Sequence, residues 1–535
     1  MSNKTKSVFG WKNLSLLLFF ICLGGGISVL SGQDVCFDFQ NYHLYIPYAF
    51  LHGRLAWDII PAGALHTFFN PLLDVPSYLL FTSLSSWPRT VGFLMGGYYG
   101  LFLFALWKCA ALLLPGDARA AKITRLFAFC LAGSGLAAVG QVGRFTNEIQ
   151  TAWLGVCACW FLLKSACGGN RGNLYWAVFI AAFTAGLKYT AGPAAVGVCL
   201  GGAYVLVRGK SPWRAYVYAA LSAAAGFLLA DGYFLYTKWV ELGSPLFPYF
   251  NHIFKSPYFA PESLPNGFAT PRGVKEWLFL PFLRWNFPVL EYRLDIRLIL
   301  GLVSFWVLAG WRIFVKKAVF SVQEAVGMCL FAGTYGAWVL LFGNMRYAVC
   351  LEAFSAWLFA LALKRFMPLR AAAAVLIVVW SGLMLIPPAT WHRHPFVEKT
   401  MVFSADVPVP DDAFVLIAGH LSFLVPFLNP QARYAGGVWF SPEKLHAPAA
   451  ELKRFNWLQP ADYQHRFAPR IKSEIARHPG PVYILAPASQ WMWKDELWAD
   501  YGVRVVPSAE DCRFFTVSPD VLYDGFVLCK AQKVS

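Results

Sequence analysis

The chain alternates long apolar runs with short polar turns from Leu14 to Pro388, and then changes to a mixed pattern. Each apolar run of about 20 residues is long enough to cross about 30 Å of hydrocarbon as a helix. The last segment, residues 389–535, returns to the composition of a soluble domain. The pattern therefore predicts an all-α polytopic membrane domain over residues 1–388, followed by a small α/β domain over residues 389–535.

The positions of Lys and Arg predict how the helices cross the membrane. Lys4, Lys6 and Lys12 place the N-terminus in the cytoplasm, because short cytoplasmic loops collect basic residues. The apolar run 71–84 is shorter than the about 20 residues that a membrane-spanning helix needs, and we predict that it lies along the interface. About eleven spans result, with outer loops at 31–90 and 237–293. The first span begins near Leu14, and the others cover about 91–114, 126–142, 150–163, 174–187, 191–207, 216–236, 294–311, 320–342, 348–363 and 371–388.

The net charge of +16 is spread over the short loops and forms no compact basic patch. Membrane topology explains this charge, so we expect no nucleic-acid partner. Most of the 12 cysteines lie inside apolar runs, without a CxxC pair or a Cys/His spacing typical of zinc sites. Cys512 and Cys529 are the exceptions, because they could pair if the tail lies in an oxidising compartment.

The tail shows four strand-like apolar runs, at 413–418, 482–486, 503–506 and 525–529. Amphipathic stretches such as 489–502 lie between them, which is typical of an α/β domain. The tail has no Gly-rich phosphate loop and no nucleophile elbow. We therefore interpret it as an accessory domain.

Charged residues concentrate in the first outer loop. If residues 38–52 form an α-helix, then Asp38, Tyr42 and Tyr45 share one face. A carboxylate on a helix beside the membrane fits a general base, and the alternative is a helix-capping aspartate. His43 falls off that face, and Asp34 lies nearer the end of the first span, so both are weaker candidates. The loop's charged and histidine residues are Asp34, Asp38, His43, Arg54, Asp58 and His66.

Ionisable residues also occur at the outer ends of several predicted helices. Because charged groups are costly at membrane depth, Glu148, Lys188 and Arg346 are candidates for function. Lys188 and Arg346 together would form an anion site, since Arg offers a fork of donors that fits phosphate. The alternatives are a helix N-terminal acid for Glu148 and ordinary loop residues for the two cations.

This arrangement resembles the GT-C superfamily of membrane glycosyltransferases, which includes protein O-mannosyltransferases and lipid A aminoarabinose transferases. The chain differs from the family at Glu148, where Asp is more usual, and it lacks the paired acidic motif of metal-dependent oligosaccharyltransferases. The elements that carry the resemblance are Asp38 with Tyr42 and Gly53, FFNPLLDVPSYLL at 68–80, Arg144 with Glu148, Lys188, Arg346 with Tyr347, and GSPLFPYFN at 243–251.

The resemblance implies that a sugar passes from a polyprenyl-phosphate donor to an acceptor hydroxyl on the outer face, with inversion at the anomeric carbon. The leaving phosphate, with a second pKa of about 6, departs without a proton donor, so one carboxylate suffices. Asp38 would be the general base, and Glu148 a second acid that orients the acceptor or the surroundings of Asp38. Lys188 and Arg346 would bind the donor phosphate. No metal or other cofactor is expected, and further substrate contacts would come from Tyr42, His43, Arg144 and Tyr347.

We expect a multi-pass protein of the bacterial inner (plasma) membrane, with its tail periplasmic or extracellular. The acceptor is a glycan, a lipid or a protein. Two other functions remain open: a transporter or lipid flippase for an envelope precursor, and a sensor whose outer domain binds a partner. The charges lie at one face and the sequence shows no pairing of two halves, which favours the transferase over the transporter.

Overall fold

The computed structural model describes residues 10–259, 271, 273–283, 295–315, 319–387, 393–437, 466–488, 498–505, 511–519 and 525–534. Contacts divide the chain into two compact units. The first, called here the membrane unit, takes its described residues from 1–31, 92–232 and 266–391. The second, called the loop–tail unit, takes them from 32–91, 233–265 and 392–535.

The membrane unit is helical. Among the described residues, seven helices are long and apolar enough to cross a membrane, and Leu369–Leu383 is a shorter apolar helix. The helices that belong wholly or mainly to this unit are Trp11–Ser31, Pro88–Leu113, Arg119–Gly133, Leu136–Gly140, Glu148–Gly168, Arg171–Leu187, Gly192–Arg208, Trp213–Leu242, Val274–Leu283, Ile296–Phe314, Val322–Leu341, Val349–Phe366 and Leu369–Leu383. Two 3₁₀ turns, Tyr189–Ala191 and Met345–Tyr347, join helices at their ends.

Each predicted span overlaps a helix, but the helices for 126–142, 174–187, 348–363 and 371–388 are not among the seven described candidate spans. Two predicted bounds also change. The predicted span 126–142 is two helices, Arg119–Gly133 and Leu136–Gly140, because Gly133-Ser134-Gly135 interrupts the helical backbone. The predicted span 216–236 continues to Leu242, so the following loop begins at Gly243.

Local sequence signals explain where several helices begin. Ser321 and Glu324 form a reciprocal capping box at the start of Val322–Leu341, with the Ser321 hydroxyl accepting from the Glu324 backbone N–H. Asn170 accepts from Gly172 N at 2.8 Å. These bonds satisfy backbone donors that a helix N-terminus leaves unpaired.

Small residues let two of the membrane helices approach closely. A Cβ added at Gly24 would lie 2.4 Å from Gly96 O and 2.9 Å from Gly100 N. The helices Trp11–Ser31 and Pro88–Leu113 therefore pack backbone against backbone, as glycine faces allow in membranes. A larger side chain at Gly24 would separate them.

A group of charged side chains lies fully buried in the membrane unit; Asp295, Arg297 and Glu352 are called here the helix-cap cluster. Glu352 accepts from Ala137 N at 2.9 Å and from Ala138 N at 3.3 Å. Asp295 accepts from Leu136 N at 3.0 Å and from Arg297 Nη1 at 2.6 Å. Both carboxylates thus bond the N-terminal backbone of Leu136–Gly140, the short helix that precedes Glu148. We interpret the cluster as a structural anchor for that segment.

The loop–tail unit combines short helices of residues 39–83 with the sheet of the tail. Its helical segments are Phe39–His43 (a π-helix), Tyr45–Leu51, Gly63–His66, Asp74–Ser83, Asn251–Phe254, Ser422–Phe427 (3₁₀), Ala468–Arg477 and Ala499–Tyr501 (3₁₀). Asp74–Ser83 lies within the predicted interfacial segment 71–84 and is not among the candidate spans. The predicted amphipathic stretch 489–502 lies mostly outside the described residues.

Six of the described tail strands form one mixed sheet. Phe414–Ile417 pairs in parallel with Arg433–Gly436 and with Val482–Pro487, and Phe414 lies opposite Val482. Phe526–Lys533 runs antiparallel to Val482–Pro487, Val503–Val505 and Cys512–Phe515. All four predicted strands are therefore confirmed, and Arg433–Gly436 and Cys512–Phe515 are additional. Short pairs outside this sheet are Gln33–Asp34 with Arg393–His394, and Val402–Phe403 with Val517–Ser518.

The first outer loop joins the edge of this sheet. Ile59 forms a parallel bridge with Ala435, donating from its N to Tyr434 O at 3.0 Å. Arg54 donates to Ala432 O at 2.7 Å and holds Asp58 through two bonds of 2.9 and 2.8 Å. The loop is thus a structural part of the tail's fold.

Cys512 and Cys529 form a disulfide between directly opposite residues of two neighbouring strands. The pairing that the sequence left open is therefore present. Disulfides persist in oxidising compartments and are rare in the cytosol.

Candidate active site

Three predicted site residues meet in the membrane unit. Glu148 is the first residue of its helix, Lys188 directly follows the helix Arg171–Leu187, and Arg346 lies in the 3₁₀ turn before Val349–Phe366. Glu148 Oε1 accepts from Lys188 Nζ at 2.9 Å and from Arg346 Nε at 2.8 Å. These three residues are called here the cation cluster, because two cations share one carboxylate oxygen.

The local backbone aims these side chains at one another. Asn147 adopts the left-handed conformation, with φ of 66°, and turns the chain into the helix that Glu148 opens. Asn344 accepts from Arg346 N at 2.9 Å and so fixes the turn that carries the guanidinium. Lys188 Nζ also donates to Thr146 O. Glu148 and Arg346 are buried, at 4% and 7% exposure, whereas Lys188 is half-buried.

A cavity of about 30 Å³ adjoins the cluster. It exceeds the roughly 10–15 Å³ that one water needs. Glu148 Oε2 and Thr334 Oγ1 are buried and make no hydrogen bond to any residue that the structure describes. Thr146, whose hydroxyl donates to Gln141 Oε1 at 2.6 Å, also lies close to the Glu148 carboxylate. The lining is otherwise mostly threonine and small apolar residues: Thr151, Ala152, Gly155, Ala181, Thr184, Thr190, Ala191, Ala194, Ala195, Val198, Val349 and Cys350, with Arg346 and Tyr347.

Two further predicted substrate contacts belong to the same unit. Tyr347 lines the cavity, and its ring lies 5.7 Å from the Arg346 guanidinium carbon. Arg144 is only 2% exposed and lies in the turn before Glu148, outside the helix. Arg144 is therefore a buried residue of the unit's interior in this structure.

Asp38 belongs to the loop–tail unit. Its backbone is helical and it precedes the π-helix Phe39–His43, but its side chain makes no capping hydrogen bond. The capping alternative is thus not supported. Asp38 is partly exposed, whereas the other three acids of residues 34–74 are buried and bonded within the unit. Their bonds are Asp34 from Cys36 N at 3.1 Å, Asp58 from Arg54 Nη2 at 2.8 Å, and Asp74 with His43 Nδ1 at 2.6 Å.

The predicted α-helix over 38–52 is wrong in its first half. Residues Phe39–His43 form a π-helix, and an α-helix follows at Tyr45–Leu51. A π-helix joins residue i to i+5, so His43 returns toward the face of Asp38. Tyr45 is fully buried, and its hydroxyl donates to Asp58 at 3.0 Å, so it does not share that face as predicted.

Aromatic and histidine rings surround this segment. Tyr42 stacks on His66 with ring centroids 4.6 Å apart and planes 2° from parallel. The Asn41 amide lies 3.0 Å from His66 Nδ1. His420 packs edge-on against Phe37 at 4.4 Å. Burial and the nearby His66 lower the pKa of His420 to about 3, although Asp38 opposes this shift, so His420 is neutral at neutral pH.

Sequence reasoning missed two members of this region. Asp74 lies inside the apolar run that we predict at the interface. The signal that could identify it as a site residue is a carboxylate among apolar neighbours. His420 follows the strand Phe414–Ile417, whose carboxyl end is a common place for functional residues in parallel sheets. Among the described residues, no group of three or more His, Cys, Asp or Glu side chains could hold a metal ion.

No model of a known protein family matches the chain, and no curated protein matches it. Solved structures match with low sequence identity, and three of them are described here. The apo oligosaccharyltransferase of Archaeoglobus fulgidus has 13% identity and a TM-score of 0.43, over 91% of this chain and 70% of that chain. A structure of Archaeoglobus fulgidus oligosaccharyltransferase with zinc and sulfate has 13% identity and a TM-score of 0.41, over 88% and 68%. The archaeal oligosaccharyltransferase AglB from Archaeoglobus fulgidus, in complex with an inhibitory peptide and a dolichol-phosphate, has 14% identity and a TM-score of 0.41, over 89% and 69%.

Proposed function

We propose that this protein is a membrane glycosyltransferase of the GT-C type. It transfers a sugar from a polyprenyl-phosphate donor to the hydroxyl of a glycan, lipid or protein acceptor, with inversion at the anomeric carbon. The observation that carries the proposal is the cation cluster, where Lys188 and Arg346 converge on a single oxygen of Glu148.

The charges of the cluster suit a leaving phosphate. Two cations and one carboxylate leave a net charge of about +1 in a buried site, which favours an anion. The donor phosphodiester carries one negative charge, and a second develops on the phosphate as the bond to the sugar breaks. Preorganised cations that meet this developing charge stabilise the transition state.

The position of the cluster suits a lipid-linked phosphate in particular. Glu148 begins a helix that is long and apolar enough to span a membrane, and Lys188 directly precedes the apolar stretch Tyr189–Arg208. A phosphate attached to a chain in the bilayer arrives at the ends of such helices. A soluble anion would not need a site at that depth.

The role of general base is assigned to Asp38, a residue of the loop–tail unit. Asp38 is the general base that takes the proton of the acceptor hydroxyl, and its partial exposure suits this role. Glu148 is the second acid, which orients the acceptor. Tyr42, Arg144 and Tyr347 contact the substrates, and the two cations carry the phosphate charge without a metal.

We propose about eleven spans, an N-terminus in the cytoplasm and a tail outside it, in the plasma membrane of a bacterium. The disulfide between Cys512 and Cys529 supports the placement of the tail, because cytosolic thiols stay reduced. A cysteine-accessibility assay on intact cells tests this orientation. One cysteine replaces Asp117, in the loop after Pro88–Leu113, and another replaces Asp406, in the tail. Only the cysteine at position 406 should react with a reagent that does not cross the membrane.

The test uses membranes with and without the protein, supplied with a panel of radiolabelled polyprenyl-phosphate hexoses and pentoses. New glycosidic product is expected with the wild type, and about a 10²- to 10⁴-fold loss with Asp38→Asn, the usual range for a missing general base. Asp406→Asn, an exposed acid of the same unit, is the control and should behave as wild type.

Two results would overturn the proposal. Full turnover by well-expressed Asp38→Asn would remove the base assignment. Movement of the donor between leaflets without a new glycosidic bond would instead identify a flippase. The same assay is run in EDTA, where activity is expected to persist because Lys188 and Arg346 supply the charge.

A further inference from the structure

His43 and Asp74 form a buried pair in the loop–tail unit. His43 Nδ1 lies 2.6 Å from Asp74 Oδ1, and the two side chains are 2% and 3% exposed. His43 is the last residue of the π-helix, and Asp74 is the first residue of Asp74–Ser83. The pair therefore links two helices of the first outer loop.

The pairing decides which ring nitrogen carries the proton. A carboxylate accepts a hydrogen bond, so in a neutral His43 ring Nδ1 is the protonated nitrogen and Nε2 keeps its lone pair. Nε2 is buried and makes no hydrogen bond to any residue that the structure describes. A buried acceptor without a partner is costly to the fold, so an imidazole held in this way is suited to accept a proton.

The π-helix sets where this imidazole lies along the chain. Asp38 has helical backbone angles and directly precedes the π-helix, and His43 is five residues later. Residues five apart return to the same face in a π-helix, whereas an α-helix would separate them. The single unusual turn thus brings a second titratable side chain to the face that carries the proposed base. π-Helical turns are frequent at functional sites for this kind of reason.

We propose that His43, oriented by Asp74, is a proton-relay residue for Asp38. The inference rests on the proposed function. The acceptor oxygen forms its bond to the anomeric carbon as the bond from that carbon to the phosphate oxygen breaks. The acceptor proton passes to Asp38, and a water that bridges the two side chains carries it to His43 Nε2, which has no direct hydrogen bond to Asp38. The resulting imidazolium is stabilised by Asp74 and returns the proton through the same water to the solvent, after Asp38 has been restored as a carboxylate and the lipid phosphate has left as the anion.

His43 and Asp74 are positioning residues in this scheme, because they act through Asp38. Removing the relay slows proton loss from Asp38 but leaves the binding of both substrates intact. His43→Gln should therefore lower kcat about 10- to 100-fold with KM unchanged, and Asp74→Asn should have a similar effect. His52→Gln is the matched control, since His52 lies in the same loop and its Nδ1 lies 2.9 Å from Tyr48 O, away from Asp74.

Chemical rescue separates proton relay from support of the fold. The donor panel of radiolabelled polyprenyl-phosphate sugars is used with His43→Ala, and either imidazole or pyrazole is added. Imidazole is expected to restore turnover, because it fills the space and accepts a proton. Pyrazole has the same size but is a much weaker base, so it should restore nothing.

A spectroscopic readout tests the pair even if the variants fold poorly. In wild-type protein labelled with ¹⁵N-histidine, the His43 resonance should show a neutral ring protonated at Nδ1. Asp74→Asn should change this resonance, and His52→Gln should leave it unaltered. A His43 ring protonated at Nε2 would overturn the proposal.

The remaining outcomes divide clearly. Wild-type kcat in folded His43→Gln would overturn the relay, as would equal rescue by imidazole and pyrazole or no rescue by either. If wild-type membranes form no glycosidic product with any donor, the proposed function itself fails, and the relay fails with it. Active wild type with an unaffected His43→Gln would leave the transferase standing without the relay.

Discussion

The membrane unit holds two clusters of buried charge that differ in how completely they are bonded. In the helix-cap cluster, both oxygens of Asp295 and of Glu352 accept hydrogen bonds from the protein. In the cation cluster, Glu148 Oε2 has no hydrogen-bond partner among the described residues, and a cavity adjoins it. The first cluster has two acids for one base, and the second has two bases for one acid.

This difference in hydrogen bonding distinguishes buried charges that support the fold from buried charges that can bind a ligand. A network in which every atom is bonded contributes to a unique fold and has little left to offer a ligand. A network that keeps an excess cation and an unbonded oxygen beside a cavity is incomplete as a structural device. The cation cluster, in which Lys188 is also partly exposed, is therefore the better candidate for a binding site.

The largest expected effect is on the helix-cap cluster. Arg297→Gln leaves Asp295 and Glu352 without their cation, and losing one partner of a buried pair costs about 3–5 kcal/mol. Thermal unfolding in detergent should show a much lower Tm. Arg312→Gln, exposed on the same helix, is the control. A wild-type Tm for Arg297→Gln would mean that the cluster is not the anchor described here.

Arg346→Gln should act on binding more than on stability. Glu148 keeps Lys188 as its partner, so the fold retains one ion pair. Affinity for decaprenyl phosphate should fall about 10- to 100-fold, the usual effect of losing a hydrogen bond to a charged group. Arg365→Gln, which breaks the Glu324 pair instead, should leave this affinity unchanged. Equal losses in both variants would contradict the comparison.

Glu148→Gln and Glu352→Gln compare the loss of one negative charge in each of the two clusters. Neutralising Glu148 removes the anion that Lys188 and Arg346 share, so decaprenyl phosphate should bind about threefold tighter or more at low salt. Glu352→Gln should lower stability and leave phosphate affinity as it is. Weaker phosphate binding by Glu148→Gln would show that the carboxylate serves mainly to hold the two cations in place.

The smallest effect is expected at the cavity wall. Thr334→Val replaces a hydroxyl that has no partner among the described residues, so the free energy of unfolding should change by less than about 1 kcal/mol. Thr184→Val, at the same cavity, removes a bond of 2.7 Å to Ile180 O and should cost more. The two Tm values check this order. A larger cost at Thr334 would reveal that its hydroxyl is bonded through a water in the cavity.

The helices and the tail strands could be predicted because their signals are local. An apolar run of sufficient length predicts a membrane helix wherever it occurs, and the runs at 413–418 and 482–486 predict strands in the same way. The break at Gly133-Ser134-Gly135 was also visible, since paired glycines punctuate helices, but the apolar run around it concealed the break.

The candidate site was only partly predictable. Residue type and sidedness selected Glu148, Lys188 and Arg346, and the structure brings them into contact. The pairing of His43 with Asp74 depends on a π-helix, which residue pattern does not distinguish from an α-helix. The bonds of the helix-cap cluster link residues about 160–215 positions apart, and no local pattern reports such a distance.

The bridge between Ile59 and Ala435 has a consequence for biosynthesis. Asp58 accepts from the Tyr434 backbone N–H, 376 residues later in the chain. The first loop therefore emerges from the ribosome long before its partner strand exists, and domains otherwise tend to fold as they are made. During that interval its backbone edge and the buried side chains of Arg54 and Asp58 lack their final partners. A chain that ends before Tyr434 lacks the strand with which this loop pairs and cannot complete the unit.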